Sequence, residues 1–423
     1  MDKRDIHNRV HAMETFEKSL KDDSTVTETN KKLILEYRDV CRSHGLSIDR
    51  RLFYCNRLKV ISRHIGKDFN KITKKDLQDF VGDLEDNKIT KTGNRGKGKP
   101  YSAWSKIDMK IALKRFFKWL KGCSWNGKDF PDIVGDWLKT TMKKKDKPAP
   151  KPIITYEEYQ KLIEATDNYR DKAIISLLYY GGFRVGELLN IKHKDVQINK
   201  DNSAWINVNG KTGQRKIEVY EPVPHLALWL HHHPKKKDKD NYVFITIGNK
   251  NKHNLVGYRT INYMIEKAGE KAGIDTSKLN PHNFRHTAIT NLVKQGVVGQ
   301  ALKMYAGWSD ESKMEAVYTH LKSNDVANII REKKGLPSNN RDKPVTNEPV
   351  ICPTCMNTNP AETKICEFCN TNIAGNKESE IQRANKLFQE MQERMGIDFD
   401  ALVEAKISKG VQEALEKQRL QRT

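Results

Sequence analysis

The sequence has no apolar run long enough to span a bilayer, and residues 1–20 lack the apolar core of a secretory leader. Neither a helical membrane protein nor an exported one is therefore expected. Acidic residues are in deficit: 54 Asp and Glu face 76 Lys and Arg, a formal charge of +22. That balance points to a polyanionic partner, DNA or RNA before a membrane surface, although many of these lysines could simply be solvated. Cysteine is scarce and odd in number, seven in all. Four form two C-x-x-C pairs, while Cys41, Cys55 and Cys123 are scattered. A disulfide framework is thus not expected, and a reducing, cytoplasmic compartment is. There is no Walker-type glycine loop and no carboxylate cluster suited to two catalytic metals, so nucleotide-driven and two-metal phosphoryl chemistry are not expected either.

What is present is length for two or three domains, 423 residues, with 37% apolar side chains. Residues 1–142 read as helices. The segment from Glu28 carries apolar residues at helical spacing to a stop at Gly45, the next runs from Ile48 to Gly66, and a third starts at a capping Thr73. A fourth, from Ser102, has an apolar stripe at Ile107, Ile111, Leu113, Phe116, Phe117 and Leu120. The loop before it, KITKTGNRGKGKP, is glycine-rich and cationic without an acidic residue. Its Lys91, Arg95, Lys97 and Lys99 suit phosphate contacts, or a solvated loop. Residues 143–152, KKKDKPAPKP, form a linker kept extended by charge and proline, whose Lys143, Lys144 and Lys145 could follow a nucleic-acid backbone.

Beyond the linker, Thr155 and Glu158 form a capping box. The pair Gly181-Gly182 breaks one helix and leaves Arg184 at the start of the next, beside Glu187. AWINVNG and RKIEVYE read as a hairpin with Lys211 near its tip; helices follow around Leu226 to His232 and Val256 to Ala272, with a short strand YVFIT between them. The row His231, His232, His233 reads as a polar helix end, since adjacent helical residues face different ways.

The densest stretch is NPHNFRHTAITNLVKQGVVGQALKMYAGWSDESKMEAVYTHL. Asn280 can cap a helix that begins with Pro281. His282 and Arg285, three apart, then share the face of its first turn, where partial positive charge and free N–H groups suit a phosphate. Trp308 reads either as an indole donor or as a core aromatic, and Tyr318 follows on a short helical segment.

GGFRVGELL, GKTGQRKIEV, PHNFRH, GW and VYTHL, in that order, resemble the catalytic domain of the tyrosine recombinases, the family of phage-type integrases and Xer-like resolvases. The resemblance extends over about residues 28–335 and is nearest to an archaeal branch with a zinc-binding tail. It implies a mainly α fold with a small β-hairpin or sheet. A helical, SAM-like core-binding domain (residues 1–142) and the linker precede an α+β catalytic domain (153–336). A linker (337–349), a zinc ribbon (350–375) and a helical tail (376–423) follow. Carried over, Arg184 resembles the first conserved arginine and Glu187 its acidic support. Lys211 resembles the hairpin lysine, and His282, Arg285 and His286 the H-x-x-R pair with its following histidine. Trp308 holds the His-or-Trp position and Tyr318 that of the nucleophile. Phe284 stands where leucine is usual, and the interval from Trp308 to Tyr318 is a residue longer than in many bacterial members.

These types fit the reaction. Two guanidiniums grip non-bridging phosphate oxygens, an indole N–H adds a donor, His282 shares the tyrosine proton, and Lys211 protonates the leaving 5′-oxygen. The resemblance further implies double-stranded DNA as partner, homo-oligomers (a dimer on a site, a tetramer in synapsis), and no cofactor for catalysis. Two other functions use overlapping parts: a type IB-like topoisomerase or telomere resolvase, and a non-catalytic DNA-binding regulator.

In the tail, the segment from Ser323 reads as a terminal helix that packs on its own chain or a neighbour. Cys352, Cys355, Cys366 and Cys369 form C-x2-C-x10-C-x2-C, a spacing suited to a closed, structural zinc site. The helical pattern at Leu387, Met391, Met395, Leu402, Val411 and Leu415 suits a partner helix or a weakly structured tail.

Overall fold

The structure is a computed structural model that describes residues 5–92, 97–142, 152–199, 201–210, 213–248, 253–318, 323–335, 349–355, 357–361 and 363–373. Arg95, Lys143, Lys144, Lys145, Lys211 and the helical pattern of residues 376–423 lie outside the described residues. Five helices come first: α1 (Arg9–Lys21), α2 (Glu28–Ser43), α3 (Ile48–Ile65), α4 (Lys74–Glu85) and α5 (Ala103–Leu120). Their starts are fixed locally. The hydroxyls of Thr27, Ser47 and Ser102 each accept a backbone N–H of the first turn, and Thr73 and Asp76 cap each other reciprocally. Gly45 and Gly66 adopt φ of 73° and 67°, the left-handed stops expected at those positions.

The apolar faces of these helices close on one cluster running from Met13 to Leu138. At its centre Tyr37 meets Phe116 edge to face at 5.3 Å. One buried amide, Asn30, is fully used: Nδ2 donates to the Ser62 hydroxyl and the Lys67 carbonyl, and Oδ1 accepts from the Phe69 N–H. The cationic loop has a paired base, because Lys91 and Gly98 donate to the carbonyls of Lys99 and Lys91 respectively. Lys97 and Lys99 are exposed, and Lys91 is half-buried.

The rest comprises α6 (Tyr156–Glu164), α7 (Tyr169–Gly181), α8 (Val185–Leu188), strands β1 (Val196–Ile198), β2 (Ala204–Gly210) and β3 (Gly213–Val219), then α9 (Val223–His232), α10 (Tyr258–Lys271), α11 (Pro281–Lys294), α12 (Gly299–Ala306), α13 (Glu315–Tyr318), α14 (Ser323–Lys333), β4 (Val350–Ile351) and β5 (Thr358–Asn359). The expected hairpin is β2–β3, paired from Ala204↔Val219 to Gly210↔Gly213, with β1 added antiparallel on the far side of β2. Burial alternates along β2, with Ala204, Ile206 and Val208 inward.

YVFIT departs from expectation. It forms no regular strand. Tyr242 bridges to Lys192, the Val243 N–H donates to the Ile191 carbonyl, and Ile245 bridges to Leu255. The apolar run is buried as a strand would be, but its partner changes after one rung, so no ladder develops.

The chain packs as two compact units. The first gathers Met1–Glu158, Arg184–Asn190 and Phe244–Thr287; the second gathers Tyr159–Phe183, Ile191–Val243 and Ala288–Thr423. Among the described residues no helix is long and apolar enough to cross a membrane.

Candidate active site

In the first unit, Arg184 is the residue that enters α8. The Glu187 carboxylate accepts from the Arg184 backbone N–H at 2.9 Å and from its guanidinium at 2.7 Å. Glu187 is only 3% exposed, so the anion has little solvent and holds Arg184 by its backbone N–H and by its guanidinium within one turn. Gly186, in the same turn, lies under the N-terminal strap: a Cβ there would sit 3.4 Å from the Ile6 side chain. Ile6 also accepts from the Tyr258 N–H at the start of α10, and His7 rests its ring on Tyr258 at 4.8 Å. Nothing in the local sequence signals this strap.

The start of α11 is capped as read. Asn280 Oδ1 accepts from the Asn283 N–H at 3.0 Å, leaving Pro281 where no donor is needed. Asn283 Nδ2 donates to the Pro152 carbonyl, and the Thr287 hydroxyl accepts from the Ile154 N–H, so the segment entering from the linker braces this helix. Phe284 is fully buried, the larger ring taking the core position where leucine is usual. Arg285 is buried, His286 half-buried and His282 exposed on the same two turns.

In the second unit, α7 ends at Gly182, whose φ of 58° is a left-handed stop; a Cβ there would approach that of Ala288 to 3.3 Å. A second stop, Gly307 at φ 61°, ends α12 and delivers Trp308. Tyr318 stacks on that indole, ring centroids 5.4 Å apart and planes inclined by 30°. It is 8% exposed and packs with Ile289, Val293, Leu302 and Ala306. The tyrosine ring thus belongs to a small core. Glu315 accepts from the Gly299 N–H, and Lys303 donates to the Asp310 carbonyl, which ties the intervening loop to α12. Arg215 on β3 donates to the Tyr305 carbonyl, linking the hairpin to the same helix. Of the expected set, Arg184, Glu187, His282, Arg285 and His286 belong to the first unit, and Trp308 and Tyr318 to the second.

The four cysteines form their own site. Their sulfurs lie within 4.8 Å of one another, with Cys352–Cys369 and Cys355–Cys366 at 3.5 Å. Tetrahedral zinc at ~2.3 Å from each thiolate sets sulfurs about 3.8 Å apart, so the donor set fits. Amide and hydroxyl groups already point at the sulfurs: Asn357 at Cys355, Asn359 at Cys366, Thr371 at Cys369. Burial alone would raise the Cys352 thiol, but backbone N–H groups of Cys355 and Thr354 outweigh it and draw it down to about 6. Hydrogen bonds from Thr371 lower Cys369 as well, whereas burial pushes the Cys355 thiol up to about 11, so the surroundings favour thiolate at Cys352 and Cys369 and oppose it at Cys355.

Residues 152–325 match the profile described as the Phage integrase family. Among curated proteins, the chain is 30% identical to "Tyrosine recombinase XerA" of Pyrococcus furiosus over 236 residues, 55% of this chain and 76% of that one. Its counterpart in Saccharolobus solfataricus is 28% identical, over 62% of this chain and 79% of the other. "Transposase A from transposon Tn554" of Staphylococcus aureus is 24% identical over 65% and 83%. Two solved structures share the fold. One is the XerH site-specific recombinase bound to palindromic difH substrate (TM-score 0.53, 17% identity, 79% of this chain and 98% of that one). The other is the Tn1549 transposon integrase with transposon right end DNA (TM-score 0.51, 16% identity, 72% and 99%).

Proposed function

The chain belongs to the phage integrase family of tyrosine recombinases, and from that premise we propose how its own residues divide the work of cleaving and rejoining DNA at a specific site. Tyr318 is the nucleophile. Its hydroxyl oxygen attacks the scissile phosphorus, the P–O5′ bond breaks, and a 3′-phosphotyrosine forms. His282 takes the phenolic proton, and Lys211 gives one to the departing 5′-oxygen. Arg184 and Arg285 hold the non-bridging oxygens as charge builds, with the Trp308 N–H as a further donor. Glu187 positions Arg184, and His286 supports the α11 face. Reversal by an incoming 5′-hydroxyl rejoins the strand, the phosphoester being exchanged and never hydrolysed.

One observation carries the reading: the family match over residues 152–325 encloses every one of these residues in a single chain. A regulator that only bound DNA would have no use for the capped α11 face together with Tyr318. Stacking on Trp308 adds a property of its own, because Tyr318 must leave a packed ring position to reach a phosphate. Resting enzyme thus keeps its nucleophile covered.

Around this centre, residues 1–142 are the DNA core-binding domain and 153–336 the catalytic domain, joined by 143–152. Lys91, Arg95, Lys97, Lys99 and Lys143 to Lys145 contact DNA phosphates. Two chains act on a site and four in synapsis, beside nucleoid DNA in the cytoplasm. Cys352, Cys355, Cys366 and Cys369 hold one Zn²⁺, which supplies a structural cross-link for residues 350–375. The test is a nicked suicide substrate that traps the covalent adduct on a denaturing gel. Tyr318→Phe should abolish the adduct with DNA affinity nearly unchanged; an undiminished adduct moves the nucleophile elsewhere.

A further inference from the structure

The sequence places the cysteine module after a polar linker, as an appendage. Its contacts say otherwise. Three side chains of the module reach the body of the second unit at three separate places. The Tyr169 hydroxyl, at the start of α7, donates to Glu367. The Thr358 hydroxyl on β5 donates to the Asn202 side chain, in the turn between β1 and β2. Phe368, between Cys366 and Cys369, sets its ring against His231 at the end of α9, centroids 5.1 Å apart. The seat is itself ordered: Tyr169 stacks on His232 at 4.5 Å, and the His232 ring nitrogen meets the Leu228 carbonyl at 2.9 Å. Asn202 holds φ of 62°, a left-handed conformation that asparagine tolerates better than most residues.

We propose that the metal-loaded cysteine module is an intramolecular clasp, seated in cis on the face built by Tyr169, Asn202 and His231. Two of its three grips come from residues whose positions the metal fixes. Glu367 and Phe368 both lie in the short loop between Cys366 and Cys369, and Phe368 also packs against the cysteine cluster. Besides its turn bonds (the Asn370 N–H to the Cys366 carbonyl, the Glu367 N–H to Asn359 Oδ1), that loop would be anchored at both ends by the metal, so seat and metal are linked. The clasp joins the chain downstream of Tyr318 and α14 to the start of α7, the helix that runs to the Gly182 turn and Arg184. The inference concerns the resting chain and stands apart from the recombination chemistry, so a failed adduct assay would not touch it.

Hydrogen–deuterium exchange on the full chain, without DNA, tests it beside metal analysis. With one Zn²⁺ bound, amides at the end of α9 and the start of α7 should exchange slowly, and chelation should speed them roughly tenfold or more. The seat variant Tyr169→Phe/His231→Ala keeps all four cysteines. It should still bind one Zn²⁺, exchange faster at α9 with metal present, and show little further change on chelation. Exchange at α7 and α9 that ignores chelation in the unaltered, metal-loaded chain would overturn the clasp. So would a seat variant that responds to chelation as the unaltered chain does. A full chain that binds no Zn²⁺ would remove the clasp together with the metal assignment.

Discussion

Trp308 has two surfaces with different duties, and substitution can separate them. Its face carries the Tyr318 ring at 5.4 Å, while its edge holds the N–H proposed to meet the phosphate. Face and edge are perpendicular, so one indole can do both. Trp308→Phe keeps a face and deletes the donor. Losing one preorganised transition-state donor costs about 2.7–4 kcal/mol, or ~10²–10³ in rate. Trp308→Ala deletes both; because Tyr318 leaves the stack before attack, the lost ~0.5–1.5 kcal/mol aromatic pair and the cavity beside Leu302 and Ala306 lower stability and add no further loss of rate. Single-turnover cleavage of a suicide substrate at saturating enzyme removes binding from the comparison, and thermal unfolding of each variant reports the packing. The expected pattern is a large rate loss with a small Tm change for Phe, and losses in both for Ala. Cleavage by Trp308→Phe within about threefold of the unaltered enzyme would refute the donor role and leave Trp308 as a packing partner alone.

Two more substitutions probe the cations. Glu187→Ala removes the buried acceptor of both the Arg184 N–H and its guanidinium; denaturant unfolding should report about 1–3 kcal/mol lost, with Glu187→Gln milder and single-turnover cleavage reduced in the same order. Lys211→Ala should cleave a 5′-bridging phosphorothiolate far better, relative to the unaltered enzyme, than an ordinary phosphodiester, since sulfur leaves without a proton; equal losses on both substrates would take the acid role from Lys211.

What the sequence made legible was local. The caps at Thr73, Thr155 and Asn280, the stops at Gly45, Gly66 and Gly182, and the β2–β3 hairpin each depend on residues a few positions apart, so their chemistry is written in short words. The cysteine spacing is legible for the same reason, since four like ligands announce one site. Contacts between distant segments left no such trace. Ile6 against Gly186 and Tyr258, Asn283 against Pro152, and Phe368 against His231 join ordinary residues whose meeting is decided by the fold. The YVFIT run shows the limit in the other direction: composition signals burial, but pairing needs a continuous neighbour that the fold does not supply. Tyr318 combines both difficulties: its motif makes it the proposed nucleophile, while its packing against Trp308 has no local signal.

The Asn280 cap also bears on how the protein ages. Asparagine decays when the next residue's backbone nitrogen attacks the side-chain amide, and proline has no N–H with which to do so. The bond from Asn280 to Pro281 thus closes that route at the cap of the turn that carries His282 and Arg285. The hairpin lacks that proline. Asn209 is exposed and precedes Gly210, the least hindered of successors, two positions before Lys211. Decay there would place a new carboxylate, or a kinked isoaspartyl link, two positions before the proposed acid, so the α11 cap and the hairpin differ in chemical lifetime.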